Sequence, residues 1–171
     1  REAAAREATY SRDTAPQPAE EEKPKLPRVS GLTDSIRHFT VRDATTFECG
    51  DFIYDTSSPR PLMGDLFTIS EPTAIGMIEN PKTNAVILGT VFSVQTKENR
   101  SGDRVTVHIG LTDGSSSVFV KTSGPPDEVD WYKNIRVGDH VAVQGRIVID
   151  RFDGELVVQA RAVAGISRLE R

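Results

Sequence analysis

From Val105 to Leu111 the chain reads Val, Thr, Val, His, Ile, Gly, Leu, with an apolar residue at every second position. Successive side chains of an extended strand point to opposite faces, whereas a helix would need its apolar residues three or four apart. Val105, Val107, Ile109 and Leu111 therefore share a core face, and Arg104, Thr106, His108 and Gly110 share a polar one. This run can only be a strand with one side buried.

The same logic extends to the whole stretch from Asn84 to Ile166. A first strand over Ala85–Thr96 shows incomplete alternation through Val86, Ile87, Leu88, Val91, Phe92 and Val94. Gly89, in its middle, suits a bend by which one long strand serves two halves of a small barrel. The polar loop KENRSGD leads into Val105–Leu111, and Asp113-Gly114 supplies the positive φ angles of a tight turn. In the third strand Val118 and Val120 point inward while Ser117, Phe119 and Lys121 point outward. DEVDWYKNI predicts a short helix whose acidic first turn suits its positive end, with Trp131 and Ile135 plugging the barrel. A fourth strand places Val141, Val143, Ile147 and Ile149 inward around Gly145, Asp150–Gly154 turns the chain, and Leu156–Val163 closes it. The expected fold is all-β: a five-stranded OB-fold Greek-key barrel with one short helix between strands 3 and 4.

The flanks read differently. Residues 1–30 combine an Ala-rich helix end with APQPAEEEKPKLPR, whose prolines and charges bury too little surface to offset ordering, so they form a Pro/Glu-rich linker. Within 31–83, Phe39–Arg42 and Asp51–Tyr54 are short strand-like runs, but Pro59, Pro61, Pro72 and Pro81 oppose a long helix or a central strand. This segment is expected to be extended, largely irregular and partly packed on the barrel. Residues 84–166 form the domain, and 167–171 an exit linker. An Arg1 start suggests an excerpt of a longer or processed protein.

Composition removes several function classes. The single cysteine, Cys49, forms no internal disulfide, and His38, His108 and His140 lie too far apart in sequence to make a metal motif, so no cofactor is expected and a cytoplasmic address fits. No apolar run has the length of a membrane span, and neither a nucleophile motif nor a P-loop or dinucleotide fingerprint is present. The fragment is not expected to be an enzyme or to take a small-molecule substrate. Net charge is −4 overall, and the nine bases and ten acids of Asn84–Ile166 leave that stretch at −1. Nucleic-acid binding by bulk charge is thereby excluded, leaving only a local patch.

Such a patch has a predictable place. A non-specific single-strand site on this barrel combines bases for the phosphates with aromatic rings for stacking, on strands two and three and on the loops joining strands one to two and four to five. Those positions hold Lys97, Arg100, Arg104, Thr106, His108, Phe119, Lys121, Arg151 and Phe152. Phe119 is either a stacking platform or covered by the 31–83 segment. Arg104 is either a phosphate ligand or a solvated hairpin residue, Phe152 is read as a loop-closing core aromatic, and a lone strand histidine such as His108 is more often structural.

GTVFSVQTKENRSGDRVTVHIGLTDGSSSVFVK followed by VGDHVAVQGRIVIDRFDGELVV resembles the OB domain that precedes the exonuclease in PolC-type bacterial replicative DNA polymerases. The resemblance is carried by Gly89, Val91, Phe92, Arg100-Ser101-Gly102, Thr112-Asp113, Val120-Lys121, Gly138, Gly145, Asp150 and Phe152, with a looser similarity at Met63–Ile69. Thr122 and Ser123 stand where the family usually has an apolar residue and an aromatic. The resemblance implies a non-catalytic module that grips single-stranded DNA, as template, with the remaining domains of a polymerase and exonuclease as partners. The acidic total keeps open a protein-interaction or architectural role. An anticodon-binding type of RNA-binding OB domain is the third reading.

Overall fold

The structure, a computed structural model, describes residues 39–170. The linker expected over 1–30 and the start of the 31–83 segment lie outside those residues. The described elements are β1 (Thr40–Asp43), β2 (Thr46–Cys49), β3 (Phe52–Met63), a 3-10 turn (Ile75–Met77), β4 (Lys82–Glu98), β5 (Val105–Thr112) and β6 (Ser117–Gly124), then α1 (Pro126–Val129), a second 3-10 turn (Asp130–Asn134), β7 (His140–Ile149) and β8 (Leu156–Leu169). The strands lie in the order β1-β2-β3-β8-β6-β5-β4-β7, and β7 pairs again with β8. The chain is all-β, as the period-two pattern predicts, but it has eight strands where the sequence suggests five. Three of them come from the segment expected to be irregular.

From β8 through β6, β5, β4 and β7, the pairings return to β8. The link between β6 and β8 is parallel and the others are antiparallel. β4 makes this possible by changing neighbours: Lys82–Thr90 pairs with β7, whereas Thr90–Glu98 pairs with β5. The change falls one residue after Gly89, where an added Cβ would sit 3.0 Å from Leu111 Cβ. A register shift between Val91 and Ser93 follows. The glycine permits close approach, and the bulge turns the strand.

Inside the ring lie Ile87, Val91, Val107, Ile109, Leu111, Val120, Val141, Val143 and Val158. Trp131 and Ile135 join this core, as their spacing predicts, although the helix lasts one turn before tightening to 3-10 geometry. Ile149, expected inward, is 54% exposed because the β7–β8 pairing carries it to the hairpin end beside Leu156.

The incomplete alternation in the first strand now has a cause. Leu88 and Ala142 face away from the main core and pack with Phe47, Tyr54 and Ile166 in a second cluster, against Phe39, Phe52, Phe67 and Ile69. β1, β2 and β3 cover this outer surface, so both faces of β4 are apolar there. β3 runs through Pro59 and Pro61 despite the expectation against a strand. Its β2 partner reaches only Phe52–Asp55, so both prolines lie where β3 has β8 alone beside it, and register shifts flank them. A proline is tolerated where no second neighbour needs its missing N–H. β8 continues to Leu169, through the first residues of the stretch expected to be an exit linker.

Candidate nucleic-acid interface

On the outer side of β4, β5 and β6, cross-strand pairing sets side chains in three rows. These are Lys97, Thr106 and Ser123, then Gln95, His108 and Lys121, then Ser93, Gly110 and Phe119. Thr106 Oγ1 donates to Ser123 Oγ at 3.3 Å. Phe92 lies over Gly110 and meets Phe119 edge to face, with ring centroids 5.9 Å apart. The glycine makes room for the ring, since a Cβ there would be 2.5 Å from Phe92 Cζ. The alternating residues of β5 identify this face, whereas Phe92 was missed because its neighbours carry no clear alternation.

Two loops border the face. In the loop between β4 and β5, Asp103 accepts from Asn99 Nδ2 at 2.7 Å and Ser101 Oγ at 2.8 Å, while Arg104 N donates to Asn99 Oδ1. Gly102 takes a φ of 74° in this turn, a conformation that glycine adopts at little cost. In the loop between β7 and β8, Phe152 N donates to Asp150 Oδ1 at 2.8 Å and Lys121 Nζ to Asp150 Oδ2 at 3.1 Å. The Phe152 N–H, helped by Lys121, holds the Asp150 carboxyl below its ordinary range. Phe152 itself is 92% exposed, correcting the expectation of a core aromatic, and Lys121 Nζ sits 5.8 Å from its ring centroid.

A groove of about 450 Å³ gathers Lys97, Arg104, Thr106, His108 and Lys121 beside Phe152, with Glu98, Asp150 and Asp153 also on its walls. Arg100 and Arg151 are exposed on the two loops but do not line it. Lys121 is half-buried in its ion pair with Asp150, so it brings less uncompensated charge than its position suggests. Phe119 lines an adjoining cavity instead, with Ile75 and Ile78 opposite. Ile75 and Ile78, from the described part of the 31–83 segment, thus share this cavity with the half-buried Phe119 ring. Burial, reinforced by Lys121, lowers the pKa of His108 and keeps it neutral at neutral pH.

Asp113 was read only as a turn residue, yet it is fully buried. Its Oδ2 accepts from Ile75 N at 2.7 Å, and its Oδ1 from Ser115 N at 2.9 Å, Ser115 Oγ at 2.6 Å and Ser116 N at 3.4 Å. Ser115 Oγ in turn accepts from Gly76 N at 2.8 Å. These bonds anchor the Ile75–Met77 turn beside the face. Burial raises the Asp113 carboxyl pKa against the pull of these donors.

Behind the face, Tyr54 Oη and Thr90 Oγ1 are 2.9 Å apart, and Thr90 Oγ1 lies 2.9 Å from His140 Nδ1. Burial, then Arg168, lowers the His140 pKa below its ordinary 6.5, while Asp139 opposes the shift. With both histidine values depressed, the unfolded chain binds more protons just below pH 6.5. Their stabilising contribution is complete above that pH and is lost as pH falls through the folded values. Guanidinium unfolding at pH 5 and 7.5 should give the lower midpoint at pH 5, and the H108Q/H140Q double variant should narrow the difference. An unchanged difference would show that other groups set it.

No protein-family model matches the chain. It is similar to part of DNA polymerase III PolC-type from Caldanaerobacter subterraneus subsp. tengcongensis, at 30% identity over 93 residues, which cover 54% of this chain and 6% of that one. The corresponding protein of Staphylococcus haemolyticus is 30% identical over 108 residues, covering 62% and 7%. The chain spans only these small fractions of the curated relatives. Among solved structures, RecG bound to a three-way DNA junction aligns with a TM-score of 0.40 at 20% identity, over 52% of this chain and 11% of that one. A single-stranded DNA-binding protein of Thermus aquaticus aligns at 0.40 and 14%, over 74% and 62%. None of the described helices is long and apolar enough to cross a membrane.

Proposed function

We propose that the ring of β4 to β8 is an OB-fold barrel, and that its β5–β6 face holds single-stranded DNA as an accessory module of a longer bacterial replicative polymerase. The observation that carries the reading is the groove that brings Lys97, Arg104 and Lys121 beside the exposed Phe152 ring. Phosphates need cations spaced along a path, and bases need an open aromatic surface, each stack contributing about 1–3 kcal/mol. The similarity to a PolC segment supports the polymerase setting. Polymerase and exonuclease chemistry would then reside in other domains of the parent chain, which would be its protein partners.

The grip is modest, because Asp150 and Asp153 share the groove with its cations. Fluorescence anisotropy with labelled oligonucleotides should show salt-sensitive binding. With Lys97 and Arg104 as the groove's uncompensated phosphate ligands, at about 0.7 per contact, the slope of log affinity on log salt should be about −1.4. Phe152→Ala should weaken binding at least about fivefold without changing the melting temperature, because the ring is exposed. K97E/R104E should remove most of the salt dependence. Absence of binding near about 50 mM salt would reject the reading in favour of a protein-interaction module.

A further inference from the structure

Asp150 is an acid on the wall of a groove that otherwise suits phosphates, and its two carboxylate oxygens serve different partners. Oδ1 accepts from Phe152 N at 2.8 Å, and Oδ2 accepts from Lys121 Nζ at 3.1 Å. The first bond closes a turn between a side chain and the backbone two residues on, and that backbone carries the exposed Phe152 ring. The second ties the loop to β6. With the Asp150 side chain only 10% exposed and that of Lys121 26%, water screens this pair less than a pair on the open surface. Among the described residues, Lys97 and Arg104, the other cations of the groove, form no ion pair. One cation of three is therefore held by the chain's own carboxylate.

We infer that Asp150 is a positioning residue of the single-strand site, which presents Phe152 for stacking and keeps Lys121 from the phosphates. The inference rests on the single-strand reading above. A phosphate reaches Lys121 only by replacing Asp150 Oδ2, which exchanges one charge-assisted hydrogen bond for another and adds no contact. The two roles can be separated chemically. Asparagine keeps one acceptor oxygen and favours the same turn, so Phe152 N retains its partner while Lys121 loses a charged one. Alanine removes both. The base of the loop depends on neither, since Asp150 N donates to Glu155 O at 2.8 Å and Gly154 N to Asp150 O at 2.9 Å through the backbone.

The test is anisotropy of labelled oligo-dT with the 171-residue chain across a range of salt. D150N frees Lys121 with the turn intact, so the slope of log affinity on log salt should steepen by about 0.7. Affinity near about 100 mM salt should rise about fivefold, the effect of one more phosphate contact. This steepening should vanish in a K121Q background, whereas a general repulsion of phosphates by Asp150 would persist there and overturn the route through Lys121. D150A should share the slope of D150N but bind at least about fivefold more weakly than it, because one stacking contact is lost. Phe152→Ala should then add little to D150A while weakening D150N in full, and equal losses in both backgrounds would overturn the positioning of Phe152. Melting temperatures separate these effects from unfolding, and D150N carries the comparison if D150A does not fold. Wild-type binding with an unchanged slope in D150N would overturn the inference and leave the single-strand reading intact. Absence of wild-type binding would remove that reading and this inference with it.

Discussion

Gly145→Ala is expected to destabilise the chain by about 3 kcal/mol, at the upper end of the usual cost of overpacking. A Cβ on Gly145 would collide with the Gln159 carbonyl oxygen and come within 3.0 Å of Ala160 Cα. Both obstacles are backbone, so no rotamer change relieves them. They lie where β7 pairs with β8 across a register shift: Gln144 faces Ala162 and Gly145 faces Ala160, leaving Arg161 as the extra residue. The bulge bends β8, and the missing side chain lets β7 follow it. Chemical unfolding of the variant should show the lower midpoint with an unchanged slope. Gly124→Ala is the comparison, because its Cβ would meet Val129 Cγ1 at an ordinary 3.4 Å and should cost far less. Equal stabilities of the two variants would refute the account.

Asp113→Ala is expected to cost about 3–5 kcal/mol, since each buried donor left without a partner costs about 1–3 kcal/mol. The donors abandoned are Ile75 N, Ser115 N and the weaker Ser116 N, all on buried residues. The Ser115 hydroxyl can turn elsewhere. Asp113→Asn retains one acceptor and should lose less. Hydrogen exchange distinguishes a local from a global effect: the Ile75 and Gly76 amides should exchange faster by more than those of β5. Unchanged protection at Ile75 would mean that other contacts hold the turn.

The parts of this protein that were legible in the sequence are those governed by local pattern. Val105 to Leu111 alternated cleanly because one side faces the core and the other faces solvent, and the same contrast placed Phe119 and Lys121 outward. Gly89 and Asp113-Gly114 marked backbone geometry that other residues resist. Legibility failed where a distant segment changed the environment. Leu88 and Ala142 broke the alternation because Phe47 and Tyr54 cover their outer side, and nothing local announces that cover. Pro59 and Pro61 argued against a strand, but their cost vanished once β2 stopped short of them. Phe152 was read as core on hydrophobicity alone, although its loop is bound through Asp150 and turns the ring outward. Lys121 was placed on the right face, yet its charge is shared with an acid 29 positions away. Pattern reveals which way a residue points; it does not reveal what waits there.

β8 belongs to two structures at once. Its first part lies beside β6 and its last part beside β3, while β7 follows it from Leu156 to Gly165. The strand therefore works as a common seam rather than a border. A fragment begun at Asn84 would keep every strand of the ring but strip the cover from Leu88, Ala142 and Ile166, presenting a greasy, unpaired margin to other molecules. Such a margin invites self-association. The hairpin region ahead of the ring is thus a guard for the fold, and shortening the chain to its most recognisable part would lay bare an apolar seam that it keeps covered.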